Sequence, residues 1–365
     1  MEMNNQDIFI HSFSPIFPRE IYSQDELVKW TLAAHSKSEN LQGRKVKEDL
    51  LKRFAVKSST ISKRYSECPD VSHEWADGKI YRLTQETPYG SDIKIRGAFF
   101  LEKAITRIRE CYEAKDLPDH FIHVTCTGYV SPSPPQYFFA GKKSPPAITH
   151  AYHMGCYASL PAIRLARALA GEAETVDVFH NEICSLHLDL KEHTPEQIVV
   201  QTLFADGHIQ YRINSERKGY KVLGIKEKII PDSLRDMSWI PSSHGMEMTL
   251  SREVPNKVGE QILNFIKELA LEQGIDFADL VQNSIFAIHP GGPKIIDAVQ
   301  ANLGLRDDQV SESKKVLFER GNMSSATLPH VWCEVMKKNY SPGTLVVSLA
   351  FGPGITVFGG LFEVV

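Results

Sequence analysis

The sequence predicts an α/β protein built from two similar halves, and two observations support that prediction. Stretches with strand spacing and stretches with helical spacing alternate along the whole chain. In addition, each half has a short apolar strand that leads into a glycine-containing turn and then a helix, at Cys156 and at His289. At 365 residues the chain exceeds one typical core, and we predict halves of residues 1–218 and 219–365.

The elements of the first half follow from its hydrophobic periodicity. Residues 97–114 form the strongest helix candidate, with apolar side chains on one face. Residues 131–135, rich in serine and proline, are predicted to form a loop. The predicted strands are residues 8–17, 121–127, 176–180 and 208–214, and the predicted helices are residues 24–35, 44–54, 97–114 and 160–171.

The second half repeats the alternation. Pro255 falls in the first turn of a predicted helix, where its missing N–H costs no hydrogen bond. Gly321 and Asn322 interrupt the helical pattern, and glycines at 352 and 354 separate the last two strands. The predicted strands are residues 220–231, 284–288, 345–349 and 355–365, and the predicted helices are residues 254–273, 294–303, 308–320 and 324–338.

Composition excludes several classes of protein. A hydrophobic content of 42% and a charged content of 24% are ordinary for a globular protein, and the net charge of −4 gives no reason to expect nucleic acid as a partner. Without a long apolar run or an apolar N-terminal segment, we expect neither a membrane span nor a signal peptide. The six cysteines are scattered with no C-x-x-C pair, which favours reduced thiols in the cytoplasm over disulfides or a zinc site.

Three residues are candidates for nucleophilic chemistry. Cys156 precedes a predicted buried helix, whose dipole favours the thiolate, although a packed core cysteine is the alternative. His289 ends a strand in a glycine-rich turn, and Asn322 lies at a helix break, where asparagine is also common for structural reasons. A thiolate needs a neighbour that stabilises its charge, and an acyl-enzyme needs donors for a developing oxyanion.

The strings around His289 and Asn322 are more specific than the residues alone. FAIHPGGPKI at 286–295 and GNMSSAT at 321–327 resemble the His and Asn motifs of type III polyketide synthases, the chalcone synthase-like enzymes. The glycine loop FGPG at 351–354 is similar to their C-terminal loop. Further similar landmarks, in the right order along the chain, are SKRY at 62–65, CTG at 126–128, Glu182 and LFADG at 203–207. The chain is identified as resembling a divergent, bacterial-type member.

The resemblance implies a thiolase fold, with two duplicated halves in a five-layer αβαβα architecture, and a homodimer. It implies acyl transfer from a thioester to Cys156, followed by decarboxylative Claisen condensation. His289 is then expected to keep Cys156 ionised and, with Asn322, to bind the thioester carbonyl while malonyl loses carbon dioxide. The expected partners are acyl-coenzyme A, malonyl-coenzyme A or acyl carrier protein, with no metal or redox cofactor.

Carrier-binding residues are expected on two stretches. Lys57, Lys63 and Arg64 loosely match the basic entrance region of the family, although such residues are usually just solvated. Gly291 and Gly292 follow the catalytic histidine and are expected at the carrier side of the site.

Pocket residues are expected where the family has two phenylalanine gatekeepers. One position falls on Met248, and the other near Leu188, with His187 possible. Flexible aliphatic side chains there favour long or bulky acyl groups, unless neighbouring residues refill the space. Thr127 also belongs to the expected pocket. Glu182 is expected near the site, as a base or as a structural carboxylate.

Three hypotheses of function follow. The first is an acyltransferase that releases a polyketide such as an α-pyrone, a resorcinol or a dione. The second is a single-round ketosynthase that uses acyl carrier protein, including one that joins two carrier-bound chains. The third is a catalytically idle thiolase-fold partner subunit, which the intact Cys156, His289 and Asn322 disfavour.

Overall fold

A computed structural model describes residues 7–45, 48–170 and 174–365 and confirms the α/β class. The strands of the first half are β1 (Phe9–Ile16), β2 (Glu20–Ser23), β3 (Lys63–Ser66), β4 (His120–Thr125), β5 (Ala147–Tyr152), β6 (Val176–Ile183) and β7 (Asp206–Asn214). Its helices are α1 (Gln24–Leu41), α2 (Glu48–Phe54), α3 (Ile93–Tyr112), α4 (Pro134–Phe139), α5 (Ser159–Leu169) and α6 (Pro195–Leu203).

The second half contains the remaining elements. Its strands are β8 (Tyr220–Ile229), β9 (Met237–Ser242), β10 (Gly245–Leu250), β11 (Ile285–Ile288), β12 (Leu345–Gly352) and β13 (Thr356–Val364). Its helices are α7 (Val254–Glu272), α8 (Phe277–Asn283), α9 (Pro293–Leu303), α10 (Ser311–Arg320) and α11 (Thr327–Met336). Short 3₁₀ turns at Pro69–Ser72, Cys184–His187, Asp307–Val310 and Ser324–Ala326 connect some of these elements.

Nine strands form one mixed sheet in the order β11-β12-β13-β8-β1-β7-β6-β4-β5. Outward from the central β1–β8 pair, the two sides repeat the same strand directions. On the first side, β1–β7 and β7–β6 are antiparallel and β6–β4 is parallel. On the second side, β8–β13 and β13–β12 are antiparallel and β12–β11 is parallel. The repeated order is the structural form of the internal similarity that the sequence predicted.

Helices cover and separate the two sides of this sheet. Helix α5 contacts β4, β6 and β7 of the first half and β13 of the second, and α11 contacts β1, β7 and β11, so both helices lie between the halves. Helix α3 packs on the outer face of the first half, against β1 and β6. Helix α7 packs against β8 and β13, with α9 beside it. The result is the layered αβαβα arrangement expected of the thiolase fold.

The predicted boundary at 218/219 lies in the turn between β7 and β8. The halves are nevertheless tied together, because β1 pairs with β8 through Phe9–Lys221 and Ile10–Tyr220. One apolar cluster also contains buried side chains of both halves. The division into two folding units therefore stays a prediction.

Several predicted elements differ in detail. Residues 131–135 are not all loop, because Ser133 caps α4 by accepting from the Gln136 N–H. Helix α3 begins at Ile93, before the predicted start, because Asp92 caps it. The hairpin β9–β10 was not predicted. Parts of the predicted helices 44–54 and 160–171 lie outside the described residues. Within the described ranges, no helix is long and apolar enough to cross a membrane.

Candidate active site

Cys156 lies in the turn between β5 and α5, and the residue before it must be glycine. Gly155 has a φ of +89°, and a Cβ there would stand 2.3 Å from Pro353 Cδ in the C-terminal glycine loop. The Gly155 N–H donates to the Sγ of Cys126 at 3.0 Å. The two halves therefore meet at this turn, since Pro353 belongs to the second half and Cys126 follows β4 of the first.

The Cys156 thiol is buried, with 8% of the residue exposed. Its Sγ lies 3.8 Å from the Oγ of Ser324. Burial raises the pKa of Cys156 to about 12, although contacts with Ser324 and Asn322 act in the opposite direction. Burial thus opposes the thiolate that the helix dipole favours, and the ionisation of Cys156 stays a prediction.

His289 directly follows β11, and its backbone N–H continues the parallel ladder to the carbonyl of Leu349 at 2.7 Å. The side chain is fully buried, and neither ring nitrogen has a hydrogen-bond partner among the described residues. Burial lowers the pKa of His289 to about 3, so the imidazole is neutral and offers one donor and one acceptor. No hydrogen bond through which His289 would keep Cys156 ionised is present among the described residues.

Asn322 follows α10 and is fixed by its backbone. Its N–H bonds the Leu203 carbonyl at 3.0 Å, and its carbonyl accepts from the Ala205 N–H at 2.8 Å. The side-chain Oδ1 accepts from the Ser324 N–H at 2.9 Å and from Thr327 Oγ1 at 3.3 Å. Because the amide oxygen is occupied in this way, the Nδ2 group is the one left to donate to a ligand.

The three residues line one cavity of about 390 Å³, which we call the catalytic cavity. It brings together Cys156 of the first half with His289 and Asn322 of the second, as the sequence predicted. Its wall also contains the predicted residues Lys57, Met248, Gly291 and Gly292, the basic residue Lys294, and the aromatic residues Phe54, Phe204 and Phe351.

Not every predicted site residue borders this cavity. Arg64 is 5% exposed, and its guanidinium donates to Gln24 Oε1 and to the carbonyls of Gln201 and Phe204. It therefore lies inside the protein and not at a carrier entrance, which corrects that expectation. Lys63 belongs to β3 and lines none of the cavities described here.

Leu188 was expected at a gatekeeper position, and the structure corrects this as well. It lines a second, smaller cavity of about 70 Å³, which we call the interior cavity, and does not border the catalytic one. Phe204 instead lines both, together with Met248. One aromatic side chain therefore remains between the catalytic cavity and the interior cavity, although the sequence predicted no aromatic gatekeeper there.

Glu182 and Thr127 belong to a buried hydrogen-bond network beside the nucleophile. Glu182 accepts from the Cys126 N–H at 3.0 Å, from Thr127 Oγ1 at 2.8 Å and from Ser325 Oγ. Burial raises the pKa of Glu182 to about 7 in spite of these donors. Thr127 also lines a chamber of about 30 Å³ next to Cys156. Both oxygens of Glu182 therefore already accept hydrogen bonds from the protein, as a structural carboxylate would.

Sequence reasoning missed Phe204, Trp239 and Ser324. Phe204 stands within the LFADG string, which the resemblance gives only as a landmark. Trp239 lies on β9 and closes the small chamber, donating its Nε1–H to the Cys126 carbonyl at 2.5 Å. Because β9 was not predicted, nothing in the sequence placed this tryptophan. Ser324 was visible in the GNMSSAT string, but its left-handed φ of +49° was not predictable.

Known proteins resemble this chain in sequence and in fold. Residues 222–365 match the C-terminal domain of chalcone and stilbene synthases. Type III polyketide synthase C of Arabidopsis thaliana is 25% identical over 370 residues, spanning 95% of this chain and 92% of that protein.

Two solved structures share the fold. PKS-I from the brown alga Ectocarpus siliculosus superposes with a TM-score of 0.84 at 20% identity, over 100% of both chains. The C-terminal type III polyketide synthase domain of Steely1, a type I/III hybrid from Dictyostelium, gives 0.80 at 24% identity, over 98% of this chain and 99% of that one. Residues 222–365 thus belong to the family of chalcone and stilbene synthase C-terminal domains, and the whole chain shares the fold of these two type III polyketide synthases.

Proposed function

We propose that this transferase forms carbon–carbon bonds by condensing an acyl thioester with a malonyl or β-ketoacyl thioester. The observation that carries the proposal is the meeting of Cys156, His289 and Asn322 in one cavity. The product is a polyketide such as an α-pyrone, a resorcinol or a dione. We propose a starter that is long or bulky, in keeping with Met248 in the cavity wall.

The first step is acyl transfer to Cys156. Cys156 and His289 line the same cavity, and the imidazole takes the proton of the thiol as the sulfur attacks the substrate carbonyl. The Cys156 sulfur attacks that carbonyl, the bond from carbon to the carrier sulfur breaks, and the carrier thiol leaves with the proton. This step needs no metal or redox cofactor.

The second step is decarboxylation and condensation. His289 and the Nδ2 group of Asn322 donate to the carbonyl oxygen of the malonyl thioester, where negative charge develops as carbon dioxide leaves. The enolate carbon then attacks the acyl carbonyl on Cys156, the carbon–sulfur bond breaks, and the released cysteine thiolate takes up one proton from solvent. In a water-poor site such donors stabilise charge more than they do in water.

Carrier binding is proposed at the mouth of the catalytic cavity. Lys57 and Lys294 supply positive charge there, and Gly291 and Gly292 line the same wall.

We further propose a homodimer in a reducing compartment such as the cytoplasm. All six cysteines are free and buried, which suits a reducing compartment.

Intact mass spectrometry tests the proposal. Wild-type protein and Cys156→Ala are each incubated with acyl-coenzyme A and with acyl-carrier protein. We expect the mass of one acyl group on the wild type and none on Cys156→Ala. Acylation only from the carrier protein would favour the chain-joining ketosynthase, and no acylation from any donor would leave the idle-subunit hypothesis.

A further inference from the structure

A buried hydrogen-bond chain ends at Glu182, and the proposed condensation uses little of it. His180 and Glu182 are fully buried on β6, and because one residue separates them their side chains point to the same face of the sheet. Ser325, in the short 3₁₀ turn after Asn322, bonds both: its Oγ lies 3.0 Å from His180 Nδ1 and donates to Glu182 Oε1. His180 Nε2 lies 3.2 Å from the hydroxyl of Tyr211 on β7.

Ionised Glu182 fixes the direction of every bond in this hydrogen-bond chain. A carboxylate only accepts, so the Ser325 hydroxyl donates to it. The Ser325 oxygen is then left to accept, which requires the proton of the His180 ring on Nδ1. In that tautomer Nε2 carries no proton and accepts from the Tyr211 hydroxyl. All donors therefore point towards Glu182.

The place of an added proton on Glu182 follows from the donors around it. Oε2 accepts from the Cys126 N–H at 3.0 Å and from Thr127 Oγ1 at 2.8 Å. A proton on Oε2 would meet these donors, so the carboxyl proton belongs on Oε1. Because Oε1 faces Ser325, protonated Glu182 becomes the donor of their shared bond and Ser325 the acceptor.

The rest of the hydrogen-bond chain then reverses. Ser325 donates to His180 Nδ1, and the imidazole carries its proton on Nε2. The Tyr211 oxygen accepts from that Nε2–H, and its own hydroxyl turns to the carbonyl of Ser159, 3.5 Å away. The reversed arrangement has an acceptor for each of its donors. The two arrangements differ by one proton, which Glu182 holds.

Glu182 is the member of this cluster that changes charge near neutral pH. Burial raises the pKa of Glu182 to about 7 and lowers the pKa of His180 to about 3, so the imidazole stays neutral while Glu182 titrates. Burial also shifts the pKa of each other titratable group that faces the hydrogen-bond chain in favour of its neutral form: Cys126, Cys156, Cys184, His123 and Tyr211.

Ser325 connects this hydrogen-bond chain to the residues proposed to act on the substrate. It follows Ser324, whose N–H donates to Asn322 Oδ1 at 2.9 Å and whose Oγ lies 3.8 Å from Cys156 Sγ. Ser324 has a left-handed φ of +49°, which persists where neighbouring contacts impose it. The bonds from Ser325 to β6 are such contacts, and they hold the turn that orients the Asn322 amide.

We propose that His180 is a positioning residue of this active site. It exchanges its Nδ1–H and Nε2–H tautomers as Glu182 loses or gains a proton, and so keeps Ser325 bonded on both sides and the Asn322 turn in place. The imidazole supplies whichever group the Ser325 hydroxyl lacks, a donor or an acceptor. The effect on turnover rests on the proposed condensation.

The tautomer of His180 is tested first, without turnover. The ¹⁵N chemical shifts of labelled imidazole rings distinguish a protonated from a bare nitrogen, and His180→Asn assigns the signals among the 14 histidines. We expect Nδ1–H at pH 8.5 and Nε2–H at pH 5.5. Glu182→Gln, whose amide donates to Ser325 as the protonated acid does, should hold Nε2–H at both pH values. One tautomer throughout in the wild type, or the same exchange in Glu182→Gln, would overturn the inference.

The positioning role is tested second, by the rate of decarboxylation of saturating malonyl-coenzyme A. His180→Phe leaves the Ser325 proton without an acceptor when Glu182 is protonated, but leaves only a lone pair unused when Glu182 is ionised. We therefore expect the loss in kcat to grow from about threefold at pH 8 to about tenfold at pH 6, with KM changed less than about twofold. His180→Asn, whose amide can donate to Ser325 or accept from it, should recover most of the rate.

His123→Phe is the matched control. His123 is also fully buried, on the neighbouring β4, and its two ring nitrogens bond Tyr152 and Asn181. Any loss of kcat in this variant should be the same at pH 6 and pH 8. Melting temperatures show which variants fold, and His180→Leu replaces His180→Phe if the latter does not.

The outcomes separate this inference from the proposed function. Equal losses at pH 6 and pH 8 in His180→Phe would overturn the positioning role, because a merely structural residue gives that result. Absence of both decarboxylation and acylation in the wild type would overturn the proposed function, while the tautomer of His180 would still decide this inference.

Discussion

The turns at Cys156 and His289 occupy the same cavity but are built in opposite ways. Around Cys156 the neighbouring groups are bonded to one another: Gly155 donates to Cys126, and Glu182 accepts from three residues. Around His289 the backbone is fixed by the bond to Leu349, while both ring nitrogens have no partner among the described residues.

The difference separates side chains whose hydrogen bonds stabilise the site from side chains whose polar atoms remain available to a substrate. A buried polar atom without a partner costs about 1–3 kcal/mol, and a substrate that bonds it in a cavity regains that free energy. His289 meets that description, and Glu182 does not. Four predictions test this distinction, from the largest effect to the smallest.

Replacing His289 removes the unpartnered donor. We expect His289→Ala to slow malonyl decarboxylation by about 10²–10³, the usual loss when one donor to a developing oxyanion is deleted. Slow acylation of Cys156 should persist. Release of carbon dioxide from malonyl-coenzyme A measures the first effect, and intact mass measures the second. Decarboxylation at the wild-type rate would remove His289 from its assigned role.

The raised pKa of Cys156 predicts the second-largest effect. At pH 8 a thiol with a pKa of about 12 is ionised in only about one molecule in ten thousand. Alkylation by iodoacetamide should therefore accelerate about tenfold per pH unit from pH 7 to 9. The mass of the adduct gives the rate, and Cys156→Ser corrects for the other cysteines. A plateau near pH 6 would show that the free enzyme holds a thiolate.

The third prediction compares one glycine from each turn. Gly155→Ala places a Cβ against Pro353 at a positive φ, and we expect it to lower the free energy of unfolding by more than about 2 kcal/mol. Gly291→Ala meets nothing nearer than His289 Cδ2 at 3.6 Å, and should cost less than about 1 kcal/mol. Urea titration measures both. If both variants lost the same free energy of unfolding, the turn at Cys156 would not be the more tightly packed of the two.

The sequence predicted the site better than it predicted the space around it. Cys156, His289 and Asn322 were identified because their turns carry specific local strings. Arg64 was misplaced because basicity says nothing about burial, and its side chain is buried by the packing of α1 and α6, which are distant in sequence. Phe204 and Trp239 border the cavities only after α6 and the β9–β10 hairpin have packed against each other and against the rest of the first half. Local patterns encode strands, turns and motifs, whereas cavity walls depend on contacts between segments far apart in the chain.

Glu182 provides the smallest and most diagnostic test, because its pKa of about 7 lies above its ordinary value of 4.5. Between those values the folded state holds more protons than the unfolded state, so this group's contribution to stability falls as pH rises through that window. Glu182→Gln removes this contribution.

We therefore expect the stability of the wild type, relative to Glu182→Gln, to decrease from pH 5 to pH 7.5 by up to about 1.4 kcal/mol per pH unit. Asp206, whose pKa burial also raises to about 7, is unchanged in both proteins and cancels from the difference. Urea titrations across this pH range measure it, and kcat/KM should fall less than about tenfold because Glu182 holds its neighbours and transfers no proton. A loss of turnover as large as that of His289→Ala, without the change in pH slope, would make Glu182 a participant in proton transfer and would erase the contrast between the two turns.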